Sequence, residues 1–166
     1  MAPQFWQTKK AAAIFQHELL DCYLVPWAQK VGVASPDHRV ALLDGYAGKG
    51  RYEDGSEGSP ALALRVAGGA LRRERRVECD FVEAHRPCYE VLSRVVHDEA
   101  GDITANVIFG DVADAVDRVL RSATGVPLLA FLDPFGLPPD FETISRILTS
   151  LVGRMSRVRA LSCSST

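Results

Sequence analysis

The chain has 166 residues, 47% of them hydrophobic and 24% charged, with a formal net charge of −2 at pH 7. This size and composition suit one domain with a buried core, and the balanced charge excludes a globally basic nucleic-acid binder. No apolar run is long enough to span a bilayer, and Lys9, Lys10, His17, Glu18 and Asp21 interrupt the N-terminal apolar residues, so neither a membrane span nor a signal peptide is expected.

Cys22, Cys79, Cys88 and Cys163 form no C-x-x-C pair and no cluster with histidine. A structural zinc site and a disulfide framework are both disfavoured, which points to a reducing, cytoplasmic setting with no metal.

The first expected element is a helix capped by Thr8. Its apolar residues Phe15, Leu19, Tyr23, Trp27 and Val31 recur every fourth position and predict one buried stripe, with Pro26 bending or interrupting it. This N-terminal segment, residues 1–36, is expected to pack on one face of a sheet or over a ligand mouth. Val40–Leu43 reads as a buried strand, ended by Asp44 and the glycine turn Gly45-Tyr46-Ala47-Gly48-Lys49-Gly50. After a polar loop, Ser59 as N-cap and Pro60 open a second helix with Leu62, Val66, Ala70 and Leu71 on its apolar face. Arg72, Arg73, Glu74, Arg75 and Arg76 end it. They suit either a solvated helix end or a phosphate-contacting patch.

A second strand, Val77–Val82, ends in Glu83. Pro87 starts a helix with Leu92, Val95 and Val96 inward and Gly101 as its C′ stop. A third strand, Ile103–Phe109, leads to Gly110 and Asp111, followed by a helix with Val112, Ala115, Val116, Val119 and Leu120 on one side. A fourth, Val126–Leu132, ends in Asp133-Pro134-Phe135-Gly136. Asp140 then caps a helix with Phe141, Ile144, Ile147, Leu148 and Leu151 facing inward, and residues 153–166 lose helical patterning and read as a frayed tail. Strand and helix alternate four times, so residues 37–152 predict an α/β, Rossmann-like core with a parallel sheet.

All four expected strands end at or beside an acidic residue: Asp44, Glu83, Asp111 and Asp133. In a parallel sheet these ends share one edge, where open α/β sheets bind ligands. Glu83 can accept hydrogen bonds from two ribose hydroxyls, Asp111 from an exocyclic amine such as that of adenine, and Asp44 from an α-amino group. Gly45, Gly48 and Gly50 allow close backbone approach. Together these partners describe S-adenosylmethionine better than a dinucleotide, whose G-x-G-x-x-G turn should run straight into a helix. Lys49 and Arg51 beside the turn keep a phosphate-bearing nucleotide open as an alternative.

Asp133-Pro134-Phe135 is a partial match to the [D/N]-P-P-[aromatic] run of methyltransferases acting on amino nitrogens. There the acidic residue and a backbone carbonyl hold the amine and the ring stacks on the base, so catalysis is mainly positioning. The competing expectation is a plain turn with Phe135 packed inward.

Asp44-Gly45-Tyr46-Ala47-Gly48-x-Gly50-Arg51-Tyr52, then Gly55, Gly58-Ser59-Pro60 and Phe131–Gly136, with His17-Glu18, Tyr23-Leu24 and Trp27 upstream, resemble the three-Cys-motif partner protein family over about residues 9 to 150. The resemblance implies a class I methyltransferase-like fold and an S-adenosylmethionine site. It implies Asp44, Gly48, Gly50, Glu83 and Asp111 as cofactor contacts and Asp133, Pro134 and Phe135 on the acceptor side. It also implies a partner protein carrying three cysteines of radical-cofactor type, and it leaves the acceptor, a nucleic acid, nucleoside or other small molecule, unnamed. That fold has more strands than the four found here, so the resemblance further implies a C-terminally truncated chain, with the fourth strand an apolar edge and turnover in doubt. A non-catalytic binding module that keeps the fold is the remaining alternative.

Overall fold

The computed structural model describes residues 11–134 and 140–160. Nine main elements follow one another: α1 (Ala11–Val33), β1 (Arg39–Asp44), α2 (Ser59–Leu71), β2 (Arg76–Glu83), α3 (Arg86–Glu99), β3 (Ala105–Phe109), α4 (Val112–Ser122), β4 (Leu128–Phe131) and α5 (Phe141–Ala160). The four strands form one sheet in the order β3-β2-β1-β4, and every pairing is parallel. This is the α/β, Rossmann-like arrangement, with β1 at the centre and the chain reversing direction across the sheet between β3 and β4.

Both faces of the sheet are covered, which is why its strands are apolar throughout rather than alternating. Val40 and Leu42 pack with α1, α2 and α3, whereas Ala41 and Leu43 pack with α4 and Ile147 of α5. β1 is buried from Val40 to Asp44. The short β4 closes one edge of the sheet, as expected of an edge strand.

Helix α1 presents a different face from the expected one. Phe15, Leu19 and Tyr23 are 68%, 60% and 54% exposed, while His17, Leu20, Leu24 and Ala28 are buried. A residue in an α-helix turns through about 100°, so each four-residue step drifts by about 40°. The expected stripe therefore winds around α1 and becomes half-buried at Trp27 and Val31. Pro26 lies inside the helix, which continues past it.

Three further expectations change. Ser59 does not cap α2: Gly58 occupies the N-cap position, and Ser59 is buried. On α5, Phe141 is 84% and Leu148 56% exposed, Thr143 and Ile147 are the buried positions among the described side chains, and Leu151 lies outside them. α5 also runs on to Ala160, where helical patterning was expected to stop after residue 152. Other signals hold. Gly101 follows the C-cap of α3 with φ +53°, and the Asp140 carboxylate accepts from the Thr143 amide at 2.6 Å.

Because Leu24 is fully buried and Phe15 is not, truncating the first should cost about 2–5 kcal/mol. Phe15→Ser should change stability by less than about 0.5 kcal/mol. Urea unfolding of the two variants checks which face of α1 the core uses; a larger loss in Phe15→Ser contradicts the packing described.

Candidate functional site

The carboxyl ends of the strands surround a cleft of about 140 Å³ lined by Gly45, Tyr46, Val82, Glu83, Ala84, Gly110, Asp111, Val112 and Pro134. It lies where the strand order places the crevice of an open α/β sheet. Of the residues singled out in the sequence, Gly45, Glu83, Asp111 and Pro134 line the cleft, while Asp44, Gly48, Gly50 and Asp133 do not. Phe135 lies outside the described residues.

The glycine turn is held by Glu83. One carboxylate oxygen accepts from the Gly48 amide at 2.8 Å and the other from the His85 amide at 2.6 Å. Glu83 thus ties the β1 turn to the start of α3. Its expected role as a ribose acceptor would have to use its remaining lone pairs, since a carboxylate has about four acceptor sites. Gly48 serves as that donor, at φ +64°. Gly50, at φ +83°, packs toward Leu92 and Val95 of α3, and its carbonyl accepts from the Gly58 amide at 3.0 Å. A Cβ on Gly58 would sit 2.7 Å from that carbonyl oxygen. The second and third turn glycines are therefore needed to close the loop rather than to touch the cleft.

Asp44 sits beneath the wall, only 2% exposed. One carboxylate oxygen accepts from the Tyr46 amide at 3.2 Å, and the other is buried without a hydrogen-bond partner. Burial pushes its pKa up to about 6, helped by the Asp133 and Glu83 charges and opposed by the Ser59 hydroxyl and the Tyr46 amide. The Ser59 hydroxyl is near enough to act electrostatically, but the buried oxygen still lacks a bond of good geometry.

Asp111 is exposed and caps α4, one oxygen accepting from the Ala113 amide at 2.9 Å. Its other oxygen remains for a ligand at the cleft wall. Asp133 accepts from the Gln16 side-chain amide at 2.7 Å, a bond between α1 and the end of β4. Burial raises the Asp133 pKa and that bond lowers it. Nothing in sequence spacing could have paired these two residues, which stand 117 positions apart. Tyr46, inside the glycine motif, was the lining residue most open to detection.

Lys49 and Arg51 are committed elsewhere. The Lys49 ammonium lies 3.3 Å from Glu53, and the Arg51 guanidinium makes a two-point pair with Glu99 at 2.6 and 2.9 Å. Neither residue lines the cleft, which removes the main support for a phosphate-bearing ligand. Among the described residues, no group of three His, Cys, Asp or Glu side chains is placed to hold a metal ion, and no helix is long and apolar enough to cross a membrane.

The raised pKa of Asp44 has a defined pH signature. Between the unfolded value near 3.8 and the folded value of about 6, the folded state binds the extra proton, so stability falls as pH rises through that window. The penalty is full above it, on the order of 2–3 kcal/mol. Asp44→Asn should flatten that part of the profile and raise stability at pH 7 relative to the parent, measured by urea unfolding at pH 4.5 and 7. An unchanged slope contradicts the assignment.

A scan of protein-family models and a search of curated proteins find no match to this chain. A search of solved structures finds a Listeria monocytogenes protein provisionally assigned as a class I S-adenosylmethionine-dependent methyltransferase, at 15% identity and a TM-score of 0.41. The match covers 75% of this chain and 33% of that one, so the chain spans about a third of that protein's length. At that level of likeness, functional assignment rests on the cleft itself.

Proposed function

We propose that the chain binds S-adenosylmethionine and belongs to an enzyme that methylates an amino nitrogen of a nucleobase, nucleoside or related small molecule. The observation that carries this reading is the meeting of Gly45, Glu83, Asp111 and Pro134 on one cleft at the carboxyl edge of a parallel sheet. Two strands, β2 and β3, deliver carboxylate acceptors of the kind a nucleoside carrying amino and hydroxyl groups requires, and among the described residues no cation lines the wall to favour a phosphate.

The donor set fits such a cofactor: Glu83 would face the ribose, Asp111 the base, and the Gly45–Tyr46 backbone the amino-acid end. The bound cofactor would supply an electrophilic methyl group. The cleft volume is below the about 300–1,000 Å³ usual for small-molecule sites, so binding on this reading widens the cleft. The remaining oxygen of Asp133 would accept from the acceptor amine, with Gln16 holding the carboxylate in place. A nitrogen lone pair needs alignment more than a strong base, so positioning is the main catalytic contribution. The partner with three cysteines is part of the same proposal, supported by the motif resemblance alone.

Millimolar S-adenosylhomocysteine should raise the melting temperature by a few degrees, because a ligand at about 100 times its Kd stabilises by about 2.7 kcal/mol. Asp111→Ala should weaken that shift, and NADH or ATP should give none. No shift with S-adenosylhomocysteine or S-adenosylmethionine overturns the proposal.

A further inference from the structure

The arginine cluster after α2 is the strongest feature outside the cleft. Arg72, Arg73 and Arg76 are exposed, and Arg75 is half-buried. The parallel register sets Arg76 opposite Arg39 at the amino-terminal edge of the sheet. Arg75 reaches the C-terminal end of α1, its Cδ 3.3 Å from where a Cβ on Gly32 would stand. Lys30, in the last turn of α1, is also exposed.

Charge neutralisation separates these arginines from five others, although Arg94, Arg118 and Arg121 also make no ion pair among the described residues. Arg39, Arg51, Arg65, Arg86 and Arg146 each pair with a carboxylate. Among the described residues, Arg72, Arg73 and Arg76 make no ion pair, although Glu74 stands between them. Glu78, the acidic residue of β2 nearest in sequence, is taken by Arg39 through a two-point contact at 2.6 and 2.9 Å. Helix-dipole stabilisation fades within one turn, so it accounts for Arg72 and Arg73 at the end of α2 but not for Arg76, which opens β2.

We propose that this amino-terminal edge is a docking site for the phosphodiester backbone of a nucleic acid. Guanidinium groups match phosphate oxygens in geometry as well as charge. Among the described residues the exposed aromatic side chains are Phe15, Tyr23, Phe109 and Phe141, none of them in the cluster, so no described aromatic anchor of a protein-binding core lies there. Contacts of this kind position a nucleic acid without reading its sequence. The site stands apart from the proposed cofactor cleft, at the other end of a six-residue strand roughly 20 Å long. It does not depend on the methyltransferase reading.

The test is fluorescence polarisation of the full chain with a labelled single-stranded DNA or RNA of mixed sequence, titrated between about 50 and 200 mM salt. The wild-type protein should bind, with log K falling against log salt at a slope of about −2, the value for three neutralised phosphates on a single strand. The triple variant Arg72→Gln, Arg73→Gln, Arg76→Gln should lose at least about tenfold in affinity and most of that slope. The corresponding triple change to lysine should retain binding, which keeps the test decisive if the glutamine variant does not fold. Absence of binding at the lowest salt, equal binding by the glutamine variant, or binding of polyglutamate in place of the oligonucleotide each overturns the proposal.

Discussion

The hydrogen bonds of the Glu83 carboxylate govern the geometry of the cleft. A strand of a parallel sheet ends abruptly, and the chain beyond it has no ladder to direct it. Glu83 replaces that ladder by accepting from the Gly48 and His85 amides together, at 2.8 and 2.6 Å. The turn after β1 is thereby fixed to the start of α3, and Gly45 and Tyr46 are left facing the cleft. Hydrogen bonds to a charged acceptor are worth roughly 1.5–3 kcal/mol each, enough to hold a loop containing three glycines against its entropy. The Gly58 amide, donating to the Gly50 carbonyl, closes the far side of the same loop.

The same arrangement concentrates negative charge where solvent is scarce. Asp44 is buried behind the turn with one unpartnered oxygen, and Asp133 is held by Gln16 on the other side of β1. Both have raised pKa values, chiefly from desolvation. A fold optimised only for stability would not keep an unpaired carboxylate there, and such perturbed groups cluster at functional sites. The opposite edge of the sheet carries Arg76 beside Arg72 and Arg73, which make no ion pair among the described residues.

Much of the scaffold was legible locally. Apolar runs bounded by turns located all four strands, and the caps at Gly101 and Asp140 had clear residue signatures. The amphipathic side of α4 was equally plain, with Val112, Ala115, Val116 and Val119 buried as their spacing required. Errors came where one residue type could serve two purposes. On α1 the four-residue repeat drifts off the core-facing side, and the buried face went to His17, Leu20, Leu24 and Ala28, the three apolar ones packed with α2. Ser59 carried the signature of a helix cap but lies buried near Asp44.

By itself the sequence determined the order and type of the elements, and the placing of acidic residues at strand ends, because hydrophobic periodicity and turn chemistry act over a few residues. Only the tertiary structure decided which of those acids face the cleft. Asp44 turns toward the α2 side under the parity of its strand, Glu83 is drawn to two backbone amides, and Asp111 divides its carboxylate between a helix cap and the cleft wall. The Gln16–Asp133 bond and the unpaired state of Arg72, Arg73 and Arg76 are likewise tertiary facts. They depend on which distant partners the parallel register brings within reach.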